Sequence, residues 1–157
     1  MPFSIRDILL PAFIGVMITG TASAAPKSPV PPPLASAQVT ELAKGLDHPW
    51  SLAFLPDNQG ALITERSGNL RLWKPDVGLS APLSGVPAVW VAGQAGLWDV
   101  RLSPDFASNR RVYLTFAQPG EKGEPHAALG YGILSADNKS LTDFHVIFVQ
   151  QPALQSG

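Results

Sequence analysis

The stretch Gly93-Gln94-Ala95-Gly96-Leu97-Trp98-Asp99-Val100-Arg101-Leu102-Ser103-Pro104-Asp105 decides the fold of this chain. Apolar and polar residues largely alternate over Leu97–Leu102, which predicts a β-strand with one buried face. Pro104 and Asp105 end that strand, since proline presets φ and an aspartate side chain can bond the nearby backbone. The glycines allow the preceding loop to approach a neighbour or a ligand closely. The stretch therefore predicts a glycine-rich loop, a strand and a turn.

The same pattern occurs earlier in the chain, at Trp50-Ser51-Leu52-Ala53-Phe54-Leu55-Pro56-Asp57. It aligns without a gap with Trp98–Asp105 at an offset of 48 residues. A second predicted strand follows each copy, at Ala61–Thr64 and at Arg111–Phe116. A repeat of about 40–50 residues made of short strands is typical of a β-propeller blade. The paired tryptophans favour this interpretation over two ordinary hairpins that share a Pro-Asp turn.

Predicted strands follow one another closely from Val39 onward. In chain order they are Val39–Leu42, Trp50–Leu55, Ala61–Thr64, Leu70–Trp73, Leu97–Leu102, Arg111–Phe116, Ala127–Leu134 and Phe144–Val149. Ser67-Gly68 predicts a tight hairpin, and we expect Glu65 and Arg66 beside it to pair with each other or with neighbours. The segment that contains Gly78 and Pro87 is interpreted as irregular. The fold prediction is all-β, with about two blades of four strands.

Composition limits the possible functions. The chain has 157 residues, and its 16 prolines and 14 glycines favour turns over long helices. A net charge of −1, with no basic cluster larger than Arg110-Arg111, gives no electrostatic basis for nucleic-acid binding. The absence of cysteine excludes disulfides, thiolate metal sites and a thiol nucleophile. Neither a triad hydrolase motif nor a dinucleotide fingerprint is present, because no serine lies in Gly-x-Ser-x-Gly and no strand-to-helix unit surrounds Gly93–Gly96.

The first 25 residues have the pattern of a secretory signal peptide. Arg6 precedes the apolar run Ile8–Ile18, and Ala22-Ser23-Ala24 supplies small residues for cleavage near Ala24 or Ala25. The run is shorter than the about 20 apolar residues that cross a bilayer, which favours a cleaved signal over an uncleaved membrane anchor. We therefore expect a periplasmic or secreted protein with no stable membrane anchor.

Residues 26–38 form a predicted Pro-rich linker between the signal peptide and the β domain. Five prolines between Pro26 and Pro33 favour an extended polyproline segment without internal hydrogen bonds. In an exported chain this segment is interpreted as a spacer, and a ligand for a Pro-binding module is the alternative. The predicted β-propeller domain then comprises residues 39–157.

Several motifs of this domain form one recognisable set. They are Gly45–Asp57, Leu62–Arg66, Gly68–Leu72, Ser84–Pro87, Gly93–Val100 and Ser103–Phe106. Together they resemble the first part of the glucose/sorbosone dehydrogenase family, the soluble aldose sugar dehydrogenases that depend on pyrroloquinoline quinone (PQQ). The resemblance continues more weakly towards the C-terminus. It implies a six-bladed propeller with PQQ and Ca²⁺ at the mouth of the central channel.

The resemblance also implies a chemistry, the oxidation of an aldose to a lactone at its anomeric carbon. A histidine acts as base, hydride passes to PQQ, Ca²⁺ acts as Lewis acid, and arginine and lysine side chains hold the PQQ carboxylates. Of these parts only Gln94 is matched here, since the family's Gly-Gln-x-Gly-Leu glutamine faces the sugar and cofactor cleft. Its amide can donate to and accept from hydroxyl groups, and Gly93 and Gly96 belong to the same cleft loop. The alternative is that Gln94 caps the backbone of its own loop.

Two residues near Gln94 depart from the family pattern. The family commonly has glycine where this chain has Ala95, and leucine where it has Trp98. The Trp98 ring is interpreted as packing within the blade. Both departures affect the shape expected for the loop.

No catalytic residue and no metal ligand is assigned to this chain. In relatives the catalytic histidine lies shortly after the segment that matches residues 152–157. His48 is predicted in a turn, His126 in a Pro-containing loop and His145 at the start of a strand, facing solvent. We therefore expect an N-terminal piece of a larger enzyme, inactive alone, whose complete form uses an aldose and an external electron acceptor. A non-catalytic exported propeller that binds sugars or a protein, and a remnant without function, are the alternatives.

Overall fold

The computed structural model describes residues 38–121 and 123–153. Contacts divide the chain after Gln38, and all elements given below belong to the unit Val39–Gly157. The predicted signal peptide and nearly all of the Pro-rich linker lie outside the described residues. Within the part that is described, no helix is long and apolar enough to cross a membrane.

The first sheet consists of four antiparallel strands in chain order. They are β1 (Pro49–Phe54), β2 (Ala61–Glu65), β3 (Leu70–Lys74) and β4 (Gly78–Leu79). A short 3₁₀ turn, Pro56–Asn58, follows β1. The β2–β3 connection is the predicted tight hairpin, in which the Gly68 N–H donates to the Glu65 carbonyl at 2.9 Å.

The second sheet has the same up-and-down order. Its strands are β5 (Leu97–Leu102), β6 (Arg111–Pro119), β7 (Pro125–Leu134) and β8 (Leu141–Val149). A four-residue helix, α1 (Phe106–Asn109), follows β5 at the place where the 3₁₀ turn follows β1. Each sheet has the four-stranded antiparallel form of a propeller blade.

The predicted repeat is confirmed by the position of its tryptophans. Trp50 is the second residue of β1 and Trp98 is the second residue of β5, and each strand is six residues long and begins its sheet. A single buried cluster contains side chains of both sheets, among them Leu62, Leu72 and Leu114. Burial of each such leucine contributes roughly 1.5–3 kcal/mol, so the two sheets stabilise each other.

The alternation along β1 separates its side chains into two sets. Ser51 and Ala53 are partly buried, whereas Trp50, Leu52 and Phe54 are exposed, Phe54 at 70%. We call these three exposed side chains the open face of the first sheet. The three large apolar side chains of β1 therefore lie on its exposed side. In β5, for which the sequence predicts one buried face, Leu97 and Val100 are buried and a register shift between them interrupts the strict alternation.

The prediction of a strand at Val39–Leu42 is wrong. This segment has no strand pairing, and Val39 is 94% exposed. The segment is linked to β3 by a hydrogen bond that the Leu42 carbonyl accepts from Trp73 Nε1 at 2.9 Å. The fourth strand is instead the two-residue β4, which pairs Leu79 with Trp73 in a segment for which the sequence predicts irregular structure. Two residues are too few to show an alternating pattern.

Two predicted boundaries in the second sheet also need correction. β7 begins at Pro125 and not at Ala127, so His126 lies in a strand and not in a loop. The pairing of β7 with β6 continues to Pro119 opposite Pro125, so the two strands are paired up to the turn that joins them. β8 begins at Leu141, three residues before the predicted start.

Candidate functional site: the loop before β5

The glycine-rich loop that was predicted to carry the site lies directly before β5. It is closed by a hydrogen bond from the Ala95 N–H to the Ala92 carbonyl at 2.8 Å. Gly93 and Gln94, between these two residues, are exposed. Gly93 has φ 53° and Gly96 has φ 155°, a backbone range that favours glycine at both positions.

Gln94 extends from the tip of this loop. Its side-chain amide has no hydrogen-bond partner among residues 38–121 and 123–153, while its main-chain carbonyl accepts a bond from Trp98 Nε1 at 2.9 Å. The alternative in which the Gln94 side chain caps its own loop is therefore not the arrangement found. The amide is available to a ligand with hydroxyl groups, and its place in a sugar cleft stays a prediction.

Arg66, from the β2–β3 hairpin, holds the loop from the opposite sheet. Its Nη1 donates to the Gly93 carbonyl at 2.7 Å, and its own carbonyl accepts from the Leu97 N–H at 3.2 Å. The backbone of Gly96 lies so close to Arg66 that a Cβ there would be 2.0 Å from the Arg66 carbonyl oxygen. The structural role predicted for Arg66 is therefore the support of this loop.

The hairpin that carries Arg66 is anchored by the buried carboxylate of Glu65. Glu65 is 1% exposed, and its oxygens accept from the Asp47 N–H at 2.9 Å, Asn69 Nδ2 at 2.8 Å and Arg71 Nη1 at 3.3 Å. Glu65 and Arg66 thus pair with neighbours, which is one of the two predicted outcomes. Three hydrogen bonds to this carboxylate fix the hairpin, and the hairpin in turn supports the loop.

A polar network joins the two sheets beside the loop. The Ser51 hydroxyl donates to Asp99 Oδ1, Arg101 Nε donates to Asp99 Oδ2 at 3.0 Å, and Thr64 Oγ1 donates to the Trp98 carbonyl at 2.6 Å. Burial raises the pKa of Asp99, but the hydrogen bonds from Ser51 and Arg101 outweigh it. The pKa of this carboxyl consequently lies below its ordinary value of 3.8.

The three histidines of the chain lie in separate places. His48 is in the predicted turn with φ 48°, and its Nδ1 contacts Asp47 Oδ1 at 2.5 Å. His126 Nδ1 lies 3.0 Å from the Gln150 carbonyl. His145 is exposed, as predicted, and bonds Asp143 Oδ1 through Nε2 at 2.8 Å. None of them lies in the loop of Gln94.

The described residues include no group of three or more His, Asp or Glu side chains that could hold a metal ion. The calcium ligands implied by the resemblance therefore stay unassigned. The loop presents the side-chain amide of Gln94 on a backbone that hydrogen bonds hold in place. This arrangement suits a polar contact to a sugar or a quinone. No contact to PQQ is assigned to the described residues.

The comparisons with known proteins agree on one family. The profile described as "Glucose / Sorbosone dehydrogenase" matches residues 46–157, which is most of the chain. The chain belongs to the glucose/sorbosone dehydrogenase family. The members of this family are oxidoreductases that act on sugars. The two sheets of this chain are blades of a β-propeller.

Individual relatives support the same assignment. The aldose sugar dehydrogenase YliI of Escherichia coli K12 is 54% identical over 123 residues, 78% of this chain and 33% of that protein. A solved structure described as a glucose dehydrogenase is 59% identical with a TM-score of 0.74, over 75% of this chain and 37% of that one. The PQQ-bound aldose sugar dehydrogenase of Streptomyces coelicolor is 26% identical with a TM-score of 0.63, over 73% and 34%. The chain thus spans about a third of the length of these relatives.

Sequence reasoning selected the loop of Gln94 but missed the two residues that hold this loop. Arg66 lies 27 residues before Gly93, and no sequence pattern connects the two. For Trp98 a signal did exist, because the departure from the family's leucine marked a position with a local reason to differ. At this position the Trp98 indole donates a hydrogen bond to the Gln94 carbonyl.

Proposed function

We propose that this chain forms the first blades of an exported, PQQ-dependent aldose dehydrogenase that oxidises the anomeric carbon to a lactone. The similarity to aldose and glucose dehydrogenases supports the reaction class, and the PQQ-bound neighbour supports the cofactor. The resemblance of the sequence supports calcium as its metal partner. PQQ, when bound, supplies the acceptor for the hydride that leaves the sugar.

The observation that carries this proposal for the chain itself is the free amide of Gln94. The sugar C1–H bond releases hydride as its hydroxyl loses a proton to a base, so the anomeric centre must be held in one orientation. An amide that both accepts and donates can bind two neighbouring hydroxyl groups at once. Gln94 therefore orients the aldose, while the base belongs to a part of the enzyme that this chain does not supply.

The proposal includes export and an external electron acceptor. The predicted signal peptide in the first 25 residues supports export, with cleavage near Ala24 or Ala25. Intact-mass measurement of the protein purified from the periplasm would test it. A mature chain that begins near Ala25 or Pro26 supports the proposal, and a chain that retains Met1 in the membrane fraction contradicts it.

The decisive experiment uses the product of the complete reading frame that carries this chain, called here the full-length product. We expect it to take up PQQ in the presence of Ca²⁺ and then to reduce a dye with an aldose. Gln94→Ala should lower kcat/KM for the aldose about tenfold, which is the loss of roughly one hydrogen bond to substrate. Gln59→Ala, which removes an exposed glutamine from the turn after β1, is the matched control.

Two outcomes would contradict the proposal. A full-length product that binds aldose but takes up no PQQ would favour the non-catalytic sugar-binding propeller. Dye reduction by the 157-residue chain alone, with PQQ and an aldose added, would show that the catalytic base lies within it. We expect no turnover by that chain.

A further inference from the structure

We infer that Arg66 and Trp98 are positioning residues that together fix the backbone of Gln94. This inference rests on the proposed function for its meaning in catalysis, but its geometry is independent of it. Each of the two residues acts through the loop and not through a contact of its own with the substrate. The loop is held from one side by the first sheet and from the other side by β5.

Arg66 holds both ends of the loop segment that carries Gln94. Its guanidinium binds the carbonyl of Gly93, the residue before Gln94, at 2.7 Å. Its main-chain carbonyl contacts the segment after Gln94, where Leu97 donates at 3.2 Å and the Gly96 backbone packs against it. One residue of the first sheet therefore holds the loop on both sides of the proposed sugar ligand.

Trp98 holds the remaining part of the loop, the Gln94 carbonyl itself. The indole N–H donates to that carbonyl at 2.9 Å, and the Trp98 main chain is in turn fixed by Thr64 Oγ1 at 2.6 Å. Gln94 is exposed and directly follows Gly93, whose backbone is conformationally permissive, so a bond to the Gln94 carbonyl adds a direct restraint. The family's leucine at this position could pack but could not donate, so this chain has an additional restraint on Gln94.

The interactions have matched counterparts elsewhere in the molecule. Trp73 Nε1 donates to the Leu42 carbonyl at 2.9 Å, which is the same kind of bond at the other end of the first sheet. Arg110 donates to the Leu134 and Ser135 carbonyls at 2.7 and 2.8 Å in the turn between β7 and β8. Trp73→Phe and Arg110→Ala are therefore controls for the structural cost of Trp98→Phe and Arg66→Ala.

The first measurement is amide hydrogen exchange in the full-length product. The Ala95 N–H is protected by the Ala92 carbonyl, so its exchange rate reports opening of the loop. We expect Trp98→Phe and Arg66→Ala to accelerate exchange at Ala95 about tenfold, and Arg66→Lys, which keeps one donor, to restore part of the protection. The controls should leave Ala95 unchanged. Unchanged exchange at Ala95 in both Trp98→Phe and Arg66→Ala would overturn the inference.

The second measurement is a double-mutant cycle on kcat/KM for the aldose. Trp98→Phe should lower kcat/KM about threefold to tenfold when Gln94 is present and should have no further effect when Gln94 is alanine. An equal loss in both backgrounds would show that Trp98 acts elsewhere and would overturn the inference. If Gln94→Ala itself leaves kcat/KM unchanged, the role proposed for Gln94 fails. In that case, exchange at Ala95 still decides whether Arg66 and Trp98 hold the loop.

Discussion

The Ser51 hydroxyl donates a hydrogen bond directly to the carboxylate of Asp99, its own counterpart 48 residues later in the repeat. The first strands of the two blades therefore face each other at equivalent positions. The contact lies next to the loop that presents Gln94, because Asp99 follows Trp98 in β5. A feature that joins the blades is thus also part of the base of the candidate site.

The Asp99 carboxylate should stabilise the junction of the blades in a pH-dependent way. Asp99 is 37% exposed, so solvent screening limits the loss on Asp99→Asn to about 1 kcal/mol in the free energy of unfolding. The folded-state pKa is lowered, so the contribution is complete above the ordinary value of 3.8 and is lost as the pH falls through the lower folded value. Denaturant titrations of both proteins should show a constant difference at roughly pH 5–7 that shrinks below about pH 4. A difference that grows at low pH would contradict this.

Gly96 should tolerate no side chain. A Cβ at this position would lie 2.0 Å from the Arg66 carbonyl oxygen, at a φ of 155°. Gly96→Ala should therefore destabilise the full-length product by about 3 kcal/mol or more, as backbone clashes do. Gly45→Ala is the control, because Gly45 has φ 78° with nothing within 4 Å, and should cost about 1 kcal/mol from backbone conformation alone. Equal losses in thermal unfolding would contradict the close packing.

The buried carboxylate of Glu65 should be among the most sensitive polar groups of the first sheet. Glu65→Ala leaves the Asp47 N–H and Arg71 Nη1 without the acceptor they share, so we expect a loss of about 3 kcal/mol in unfolding free energy. Glu65→Gln keeps one acceptor and should lose less. Glu41→Ala removes an exposed pair with Lys44 and should change stability by less than about 0.5 kcal/mol. Equal effects of Glu65→Ala and Glu41→Ala in denaturant titrations would show the network to be unimportant.

The open face of the first sheet should make the 157-residue chain associate. Trp50, Leu52 and Phe54 present adjacent apolar side chains to solvent, and exposed patches of this kind promote contacts between molecules. Light scattering after size exclusion should show species larger than a monomer at micromolar concentration. Phe54→Lys should reduce association, whereas Val77→Lys, at an exposed apolar residue outside this face, should not. A monomeric wild-type chain would contradict this prediction.

The sequence predicted those parts of the fold that depend on residues close to one another. The duplicated Trp-to-Asp stretch identified β1, β5 and the blade repeat, because alternation and a Pro-Asp turn are local signals. Val39–Leu42 has the composition of a strand but finds no partner, and the two-residue β4 takes the fourth place in the sheet. Strand pairing at the sheet edge depends on geometry that a local pattern does not contain.

The residues of the candidate site also divide into those that a local sequence pattern predicts and those that it does not. Gln94, Gly93 and Gly96 could be selected because they form one short motif that resembles a known family. The contacts of Arg66 with Gly93 and of Thr64 with Trp98 cross between sheets over 27 and 34 residues. Such contacts follow from how two blades pack, so the sequence predicted the loop but not the residues that hold it, and the contact of Gln94 with a ligand stays a prediction.

The different surroundings of the two faces of β1 limit where a residue can be inserted in the chain. Its even-numbered residues 50, 52 and 54 face away from the second sheet, and Ser51 faces towards Asp99. Insertion of one codon before Trp50 would exchange these two sets, turning the Ser51 hydroxyl outward and the Trp50 indole towards the Asp99 carboxylate. Natural length variation should therefore be confined to the segments between the strands, where an added residue leaves both sides of β1 unchanged.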